Sequence, residues 1–304
     1  MPHPVITPTP TSADRVTAKA VFIDFDGTFA DRGVIPPAHV EAVRRARSNG
    51  HKIFLCTGRP KSMLARNVQA VGFDGLVAAA GGYIEVDEQV WSDQRFSADL
   101  AARTISVLEK YDVTYVLEAP TAIFGPPGSR ERIHGILFGA FPGDGQGPSD
   151  ILASLQIPND LNDCSFGKVT IFDSRVPVPV LAEEIGIDIA ALPSSITGLK
   201  DRAGELYIPG VDKSVGIAAV IARFGIDQSD VVAIGDGTND LEMLAFAGTA
   251  VAVEGSPKAL LRLADLVIPG PDREGIVFGF DALGLTRPEI RPVRPDVEEP
   301  ERVW

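Results

Sequence analysis

AVFIDFDGT, residues 20–28, decides the fold. An apolar run that ends in acid is the pattern of a short strand buried on both faces, as in a parallel sheet. Its end carries Asp24 and Asp26, two residues apart and therefore leaving the strand on the same side. Gly27 lets the chain turn sharply behind them, and Thr28 adds a hydroxyl.

Outward from this stretch, strand and helix alternate. AHVEAVRRARSN (38–49) spaces Val40, Val43 and Ala46 along one helical face and stops at Gly50. KIFLC (52–56) predicts a second strand, 60–71 a second helix, and LVAAA (76–80) a third strand. After Gly81-Gly82 the texture changes: YIEVDEQVWS (83–92) alternates as a hairpin turning at Asp87-Glu88. A mixed segment follows to about residue 207, with a helix at 98–110, a strand at 113–118, a Gly/Pro-rich stretch at 139–148, a strand at 166–172 and a helix around 179–186. The first rhythm resumes with a strand at 205–208, a helix at 213–224, the strand VVAIG (231–235) and a helix at 239–247. Strands at 249–253 and 265–268 flank one more short helix. Alternation on both sides of an insert predicts an α/β fold, a doubly wound parallel sheet from residues 19–81 plus 208–284. A second α/β domain would occupy 82–207. Pro-rich ends at 1–18 and 285–304 read as flexible tails.

Composition narrows the function. The chain has 304 residues, 45% hydrophobic and 23% charged, enough for two cores. A net charge of −13, from 41 acidic against 28 basic residues, opposes broad binding to nucleic acid or anionic lipid. No apolar stretch reaches the length of a membrane span, and the N-terminus lacks a basic flank leading into an apolar region, so neither membrane insertion nor secretion is expected. Two cysteines, Cys56 and Cys164, are too few for a disulfide framework, which suggests a reduced, cytoplasmic setting.

In a doubly wound sheet, ligands bind beyond the carboxyl ends of the strands. Four segments deliver polar residues to that edge: Asp24 to Thr28; Thr57-Gly58-Arg59 directly after KIFLC; Lys213 at a helix start; and Gly235-Asp236-Gly237-Thr238-Asn239-Asp240 after VVAIG. Taken singly, each has a bland reading at least as good: DxDGT and GDGTND as tight turns, TGR as a strand–helix loop, Lys213 as a solvated lysine. Together they place four acids, a Thr and a Lys on one edge. Carboxylates gathered there without a cation would cost several kcal/mol, on the order expected for unpaired buried ions, so a metal is expected, and an all-oxygen site suits Mg²⁺. Thr57, Gly58 and a helix N-terminus would cradle an anion. His39, His51 and His134 have no partner at ligand spacing and read as surface or packing residues. Cys56 reads as a small buried hydrophobe, and 139–147, with GxGxG spacing but no following Lys or Ser/Thr, as a flexible loop.

The four segments, in this order, resemble the motifs of the haloacid dehalogenase superfamily. The large insert between the second and third motifs resembles the Cof-type sugar phosphatases of subclass IIB, as do GVDKSVGIAAVIARFGI (210–226) and GDGTNDLEMLAFAGTAVAVEGSP (235–257). The resemblance covers roughly residues 20–282. It implies a Mg²⁺-dependent phosphatase acting on a small phosphorylated metabolite, such as a sugar phosphate, through an aspartyl-phosphate. Asp24 would be the nucleophile and a metal ligand. Asp26 would be the acid/base, its main-chain carbonyl on the metal and its side chain facing away. Thr57, Gly58 and Lys213 would hold the phosphoryl group, Asp236 would complete the metal shell, and Asn239 and Asp240 would position it or its waters. Arg59 would contact substrate or cap, or form a structural ion pair. Ala80-Gly81-Gly82 departs from the Asn-Gly-Ala usual at the entry to such a cap. The alternatives are a phosphomutase with the same Asp24 chemistry, a receiver-like signalling domain and a phosphate-binding protein without catalysis.

Overall fold

Hydrophobic residues alternate in facing along each central strand, and this forces helices onto both sides of the sheet. The computed structural model describes residues 18–140, 149–193 and 202–287. Of the expected tails at 1–18 and 285–304, residues 1–17 and 288–304 lie outside the described residues, as do residues 141–148 of the Gly/Pro stretch 139–148. The chain begins with β1 (Ala20–Ile23), α1 (Pro37–Ser48), β2 (Lys52–Cys56), α2 (Arg66–Gln69), β3 (Gly75–Ala78), β4 (Tyr83–Val86) and β5 (Gln89–Asp93). The insert contains α3 (Ala98–Lys110), β6 (Thr114–Glu118), β7 (Ile123–Phe124), α4 (Ser129–Ala140), α5 (Ser149–Ser154), β8 (Leu155–Gln156), β9 (Lys168–Asp173), α6 (Val178–Ile185), β10 (Ala190–Pro193) and β11 (Gly204–Tyr207). The chain then returns through α7 (Lys213–Phe224), β12 (Val231–Gly235), α8 (Leu241–Phe246), β13 (Thr249–Val253), α9 (Lys258–Leu263), β14 (Leu266–Ile268) and α10 (Gly275–Ala282).

Among the described residues the strands form two sheets. The larger has eight strands in the order β14-β13-β12-β1-β2-β3-β4-β5, and the smaller has six in the order β10-β11-β9-β6-β7-β8. From β14 to β3 the larger sheet is parallel, whereas β4 and β5 are antiparallel additions. This is the α/β fold expected, with an inserted second α/β unit. Val21, Ile23, Ile53, Leu55, Val232 and Ile234 face α1 and α10 on one side. Phe22, Phe54, Cys56 and Ala233 face α7 and α8 on the other. Phe22 and Phe54 stack with ring centroids 4.8 Å apart.

Three expectations differ from the structure. The hairpin 83–93 continues the larger sheet, so the chain leaves that sheet after Asp93 and not at residue 82. The helix expected over 60–71 is broken into a 3₁₀ turn at Lys61–Met63 and the short α2. Neighbouring residues pull it apart: Met63 packs among Val116, Ile123 and Phe172 of the insert, while Leu64 packs into the main core. Successive side chains face opposite ways only in extended chain, and Leu64 is extended. Finally, Leu285, placed in the C-terminal tail by its sequence, is buried in the main core. His39 and His51 are buried packing residues. His39 Nδ1 lies 2.9 Å from the Phe29 carbonyl oxygen, and His51 Nδ1 accepts from Lys19 N at 3.1 Å.

Asp74 fastens α1 to β2. It accepts hydrogen bonds from Arg47 Nε at 2.9 Å, Lys52 Nζ at 3.1 Å and Ile53 N at 2.9 Å. Burial works to raise its pKa, but the bonds from Arg47, Ile53 and Lys52 outweigh burial and hold it below the ordinary carboxylate value. Asp74→Asn is therefore expected to cost about 1–3 kcal/mol at neutral pH. A depressed folded pKa contributes stability that is complete above the unfolded value of about 3.9 and is lost as pH falls through the folded value. Urea unfolding of wild type and variant should differ at pH 7 and converge in acid. A gap of the same size at both ends would contradict this role.

Candidate active site

β1 lies at the point where the strand order reverses, with β2 on one side and β12 on the other. Ile23 is level with Leu55 and with Ile234, so the residues that follow these strands meet at one edge. Asp24 is held there by its own N–H, which donates to the Ile234 carbonyl at 2.9 Å. Gly27 then turns with φ +83°, and a Cβ at this position would stand 2.4 Å from Asp236 Oδ2. Glycine thus lets the two loops close on each other, and Thr28 Oγ1 donates to Asp236 Oδ1 at 2.7 Å.

Lys213 arrives from the other side of the sheet because α7 begins there. Asp212 caps the helix, its carboxylate accepting from Ser214 N at 2.8 Å and Val215 N at 3.1 Å, and Gly225 ends it in the left-handed conformation. Lys213, 1% exposed, donates to Asp24 Oδ1 at 2.5 Å and to Asp240 Oδ1. The other Asp240 oxygen accepts from the N–H groups of Asp236 at 3.0 Å and Gly237 at 2.9 Å. One carboxylate oxygen from each of Asp24, Asp236 and Asp240 lies within 4.8 Å of the others, a group able to hold a metal ion.

Charge in this cluster is unbalanced, since one ammonium group faces three acids. Burial lifts Asp24 well above the ordinary carboxylate range against the pull of Lys213, and the Asp240 and Asp236 charges add to the lift. Burial likewise lifts Asp236 to about 6, against the Thr28 hydrogen bond. Burial disfavours the Lys213 charge, yet Asp24 and Asp240 outweigh it and keep the group cationic. Cys56 lies behind them, its thiol pushed by burial up to about 12, and is an inert buried hydrophobe as its sequence position suggests.

Asp26 takes a different path. Its carboxylate points to Arg59, which donates from Nε at 2.6 Å and from Nη2 at 2.7 Å, while the guanidinium lies 5.3 Å from the Phe25 ring centroid. The ion-pair reading of Arg59 is the one this geometry realises, and Asp26 is not part of the group formed by Asp24, Asp236 and Asp240. Thr57 is buried at the end of β2, and its hydroxyl accepts from Arg59 N at 3.1 Å. Asn239 stands beside the cradle, its Nδ2 3.4 Å from where a Gly58 Cβ would lie. Ala79 N donates to Arg59 O at 2.9 Å and Ala80 N to Thr57 O at 3.1 Å, which brings the Ala80-Gly81-Gly82 segment against the cradle. Ala79 and Ala80 both have positive φ (+49° and +52°), costly for Ala at roughly 1–2 kcal/mol each. Asn tolerates that conformation better than Ala.

An open cleft of about 490 Å³ lies along Gly27, Asp236 and the loops 253–256 and 270–272. A second polar cluster was not foreseen. Glu118, Lys168, Thr170 and Glu205 lie on one face of the smaller sheet, and Lys168 reaches the Gly58 carbonyl. The legible signal was a Lys and a Thr at alternate positions of a mostly apolar strand, KVTIFD. The pairing that sets Glu118 opposite Lys168 and Glu205 opposite Thr170 has no trace in local sequence.

A doubly wound α/β architecture with an acid–lysine cluster at its strand ends and a second sheet inserted after the hairpin is the class defined by this fold and site. Residues 21–279 match the haloacid dehalogenase-like hydrolases, and the chain belongs to that family. YkrA of Bacillus subtilis (strain 168) is 25% identical over 276 residues, covering 89% of this chain and 99% of its own. The phosphoglycolate phosphatase of Methanopyrus kandleri is 26% identical over 271 residues, covering 84% of this chain and 93% of its own. The solved structure of a subclass IIB sugar phosphatase shares the fold, with a TM-score of 0.71 and 24% identity over 88% of this chain and 100% of that one. Among the described residues no helix is long and apolar enough to cross a membrane.

Proposed function

We propose that the protein is a Mg²⁺-dependent phosphatase that hydrolyses phosphate monoesters of small metabolites, sugar phosphates among them, in the cytoplasm. The observation that carries the reading is the buried Lys213 bound to both Asp24 and Asp240, with Asp236 alongside. One cation among three carboxylates leaves excess negative charge in a buried place, which a divalent ion would offset. The donors are all oxygens, and both Asp240 oxygens are already occupied by Lys213 and two N–H groups. Asp24 and Asp236 are therefore the side-chain ligands we assign, and the family resemblance adds the Asp26 main-chain carbonyl. Bound there, Mg²⁺ supplies positive charge against the phosphoryl oxygens.

The remaining chemistry belongs to the chain. Thr57, the Gly58 N–H and Lys213 hold the phosphoryl group and offset its charge as Asp24 attacks phosphorus. The bond to the leaving oxygen breaks, and that oxygen takes the Asp26 proton. Asp26 must leave its pair with Arg59 to do this. A substrate that draws the guanidinium onto itself releases the carboxyl. Water then attacks phosphorus of the aspartyl-phosphate, Asp26 takes the proton from water, and Asp24 returns as a carboxylate. Asn239 and Asp240 fix the loop that carries Asp236. The inserted unit, from residue 94 to 207, is assigned as the cap that excludes water from the first step.

An aryl phosphate and a panel of phosphorylated metabolites test the reading, assayed with Mg²⁺ and after chelation. Phosphate release equal to substrate loss, only with the cation present, is the expected result. Metal-independent turnover, or an isomerised sugar phosphate without free phosphate, would contradict it.

A further inference from the structure

Lys168 opens β9 of the inserted sheet, yet its ammonium group ends on the main unit. Nζ donates to the Gly58 carbonyl at 2.8 Å and to Glu205 Oε2 at 3.0 Å, with Glu118 Oε2 3.2 Å away. Strand pairing puts all four polar side chains on one face: Glu118 is opposite Lys168, Glu205 is opposite Thr170, and Lys168 and Thr170 are two apart. Thr170 completes the set by donating to Glu118 Oε1. Burial alone disfavours the Lys168 charge, but Glu118 and Glu205 outweigh it and keep the group cationic. A buried ammonium held this firmly has one bond directed out of its own sheet, and it ends on the middle residue of Thr57-Gly58-Arg59.

The residues that follow that segment are fastened to the same inserted unit. Ser62 Oγ donates to the Ala119 carbonyl at 2.7 Å, Ser154 Oγ donates to the Ser62 carbonyl at 2.8 Å, and Met63 packs in the apolar cluster of the insert. From the main unit, Thr57 N donates to the Val77 carbonyl at 2.8 Å and Ala79 N to the Arg59 carbonyl at 2.9 Å. The orientation of the Gly58–Arg59 peptide sets where the Arg59 N–H meets the Thr57 hydroxyl. The cradle thus hangs between the two sheets, and Lys168 is its attachment on the inserted side.

We propose that Lys168 is a positioning residue: its hydrogen bond to the Gly58 carbonyl holds Thr57-Gly58-Arg59 in its anion-binding shape, so that phosphate is bound tightly only when the inserted sheet is seated on the main one. The inference rests on the phosphatase reading for the identity of the anion. It makes the cap part of the phosphate site as well as its cover.

Calorimetric titration of inorganic phosphate into the full chain with Mg²⁺ tests it without relying on turnover. Lys168→Met is expected to weaken phosphate about tenfold or more, as for the loss of a charge-assisted hydrogen bond, with Mg²⁺ affinity unchanged. The double variant Glu118→Gln/Lys168→Met, which also removes a buried carboxylate, guards against misfolding of the single variant and should show the same loss. Glu118→Gln alone keeps the bond to Gly58 and should bind phosphate like wild type. Phosphate affinity within twofold of wild type in the Lys168 variants would overturn the proposal. So would an equal loss in Glu118→Gln, or a parallel loss of Mg²⁺ affinity, since either would mean general damage. Aryl phosphate turnover by wild type, measured alongside, separates the two claims: intact phosphate binding without turnover sinks the phosphatase reading alone.

Discussion

Asp24→Asn is expected to lower turnover by at least about a thousandfold while leaving the protein folded. The amide keeps the size of the carboxylate but cannot attack phosphorus. Nothing nearby replaces it: Asp240 is occupied by Lys213 and two N–H groups, Asp236 accepts from Thr28 and is assigned to the metal, and Asp26 pairs with Arg59. Stability should move the other way. Burial and the neighbouring acids make the Asp24 charge costly, so the metal-free variant should melt at or above the wild-type temperature, a gain of stability at the expense of function. Steady-state assays and thermal denaturation of the same preparations check both halves. An Asn variant within tenfold of wild-type turnover would remove Asp24 from its assigned role.

Lys213→Met should damage stability and activity together. The ammonium group is fully buried between Asp24 and Asp240, both themselves buried. Removing it leaves two carboxylates without their cation, a loss of about 3–5 kcal/mol for a broken buried pair. For a chain of this size that corresponds to a melting temperature lower by roughly 6–20 °C. Mg²⁺ should recover part of the stability, because it acts on the same excess charge, but not turnover, because the phosphoryl group loses Lys213. A melting temperature within about 2 °C of wild type would show that the cluster does not depend on this lysine.

How much of this was legible follows from the range of each interaction. Strands that end in functional residues carry their signal locally: AVFIDFDGT, KIFLC-TGR and VVAIG-DGTND each announce a buried strand and a polar tip. The sheet edge where they meet then follows from topology rules, and Lys213 from its place at a capped helix start. The hairpin 83–93 was legible as a hairpin but not as part of the main sheet, because strand partnership is a long-range choice. The helix over 60–71 was overturned by Met63 and Leu64, whose opposing burial belongs to two different cores. Arg59 illustrates the same limit, since its Asp26 partner is fixed only once the β1 and β2 loops are side by side. Lys168 showed in the sequence only as a charge in a mostly apolar strand, since its meaning depends on a contact made 110 residues away in the chain.

Trapping the covalent intermediate tests the central claim most directly. Borohydride added during turnover of an aryl phosphate reduces an acyl-phosphate to an alcohol, which would convert Asp24 to homoserine. Mass spectrometry of the peptide carrying residues 20–28 should find that conversion with substrate and Mg²⁺ present, and not without substrate. Full turnover with Asp24 unmodified throughout, or reduction at another carboxylate, would contradict the account.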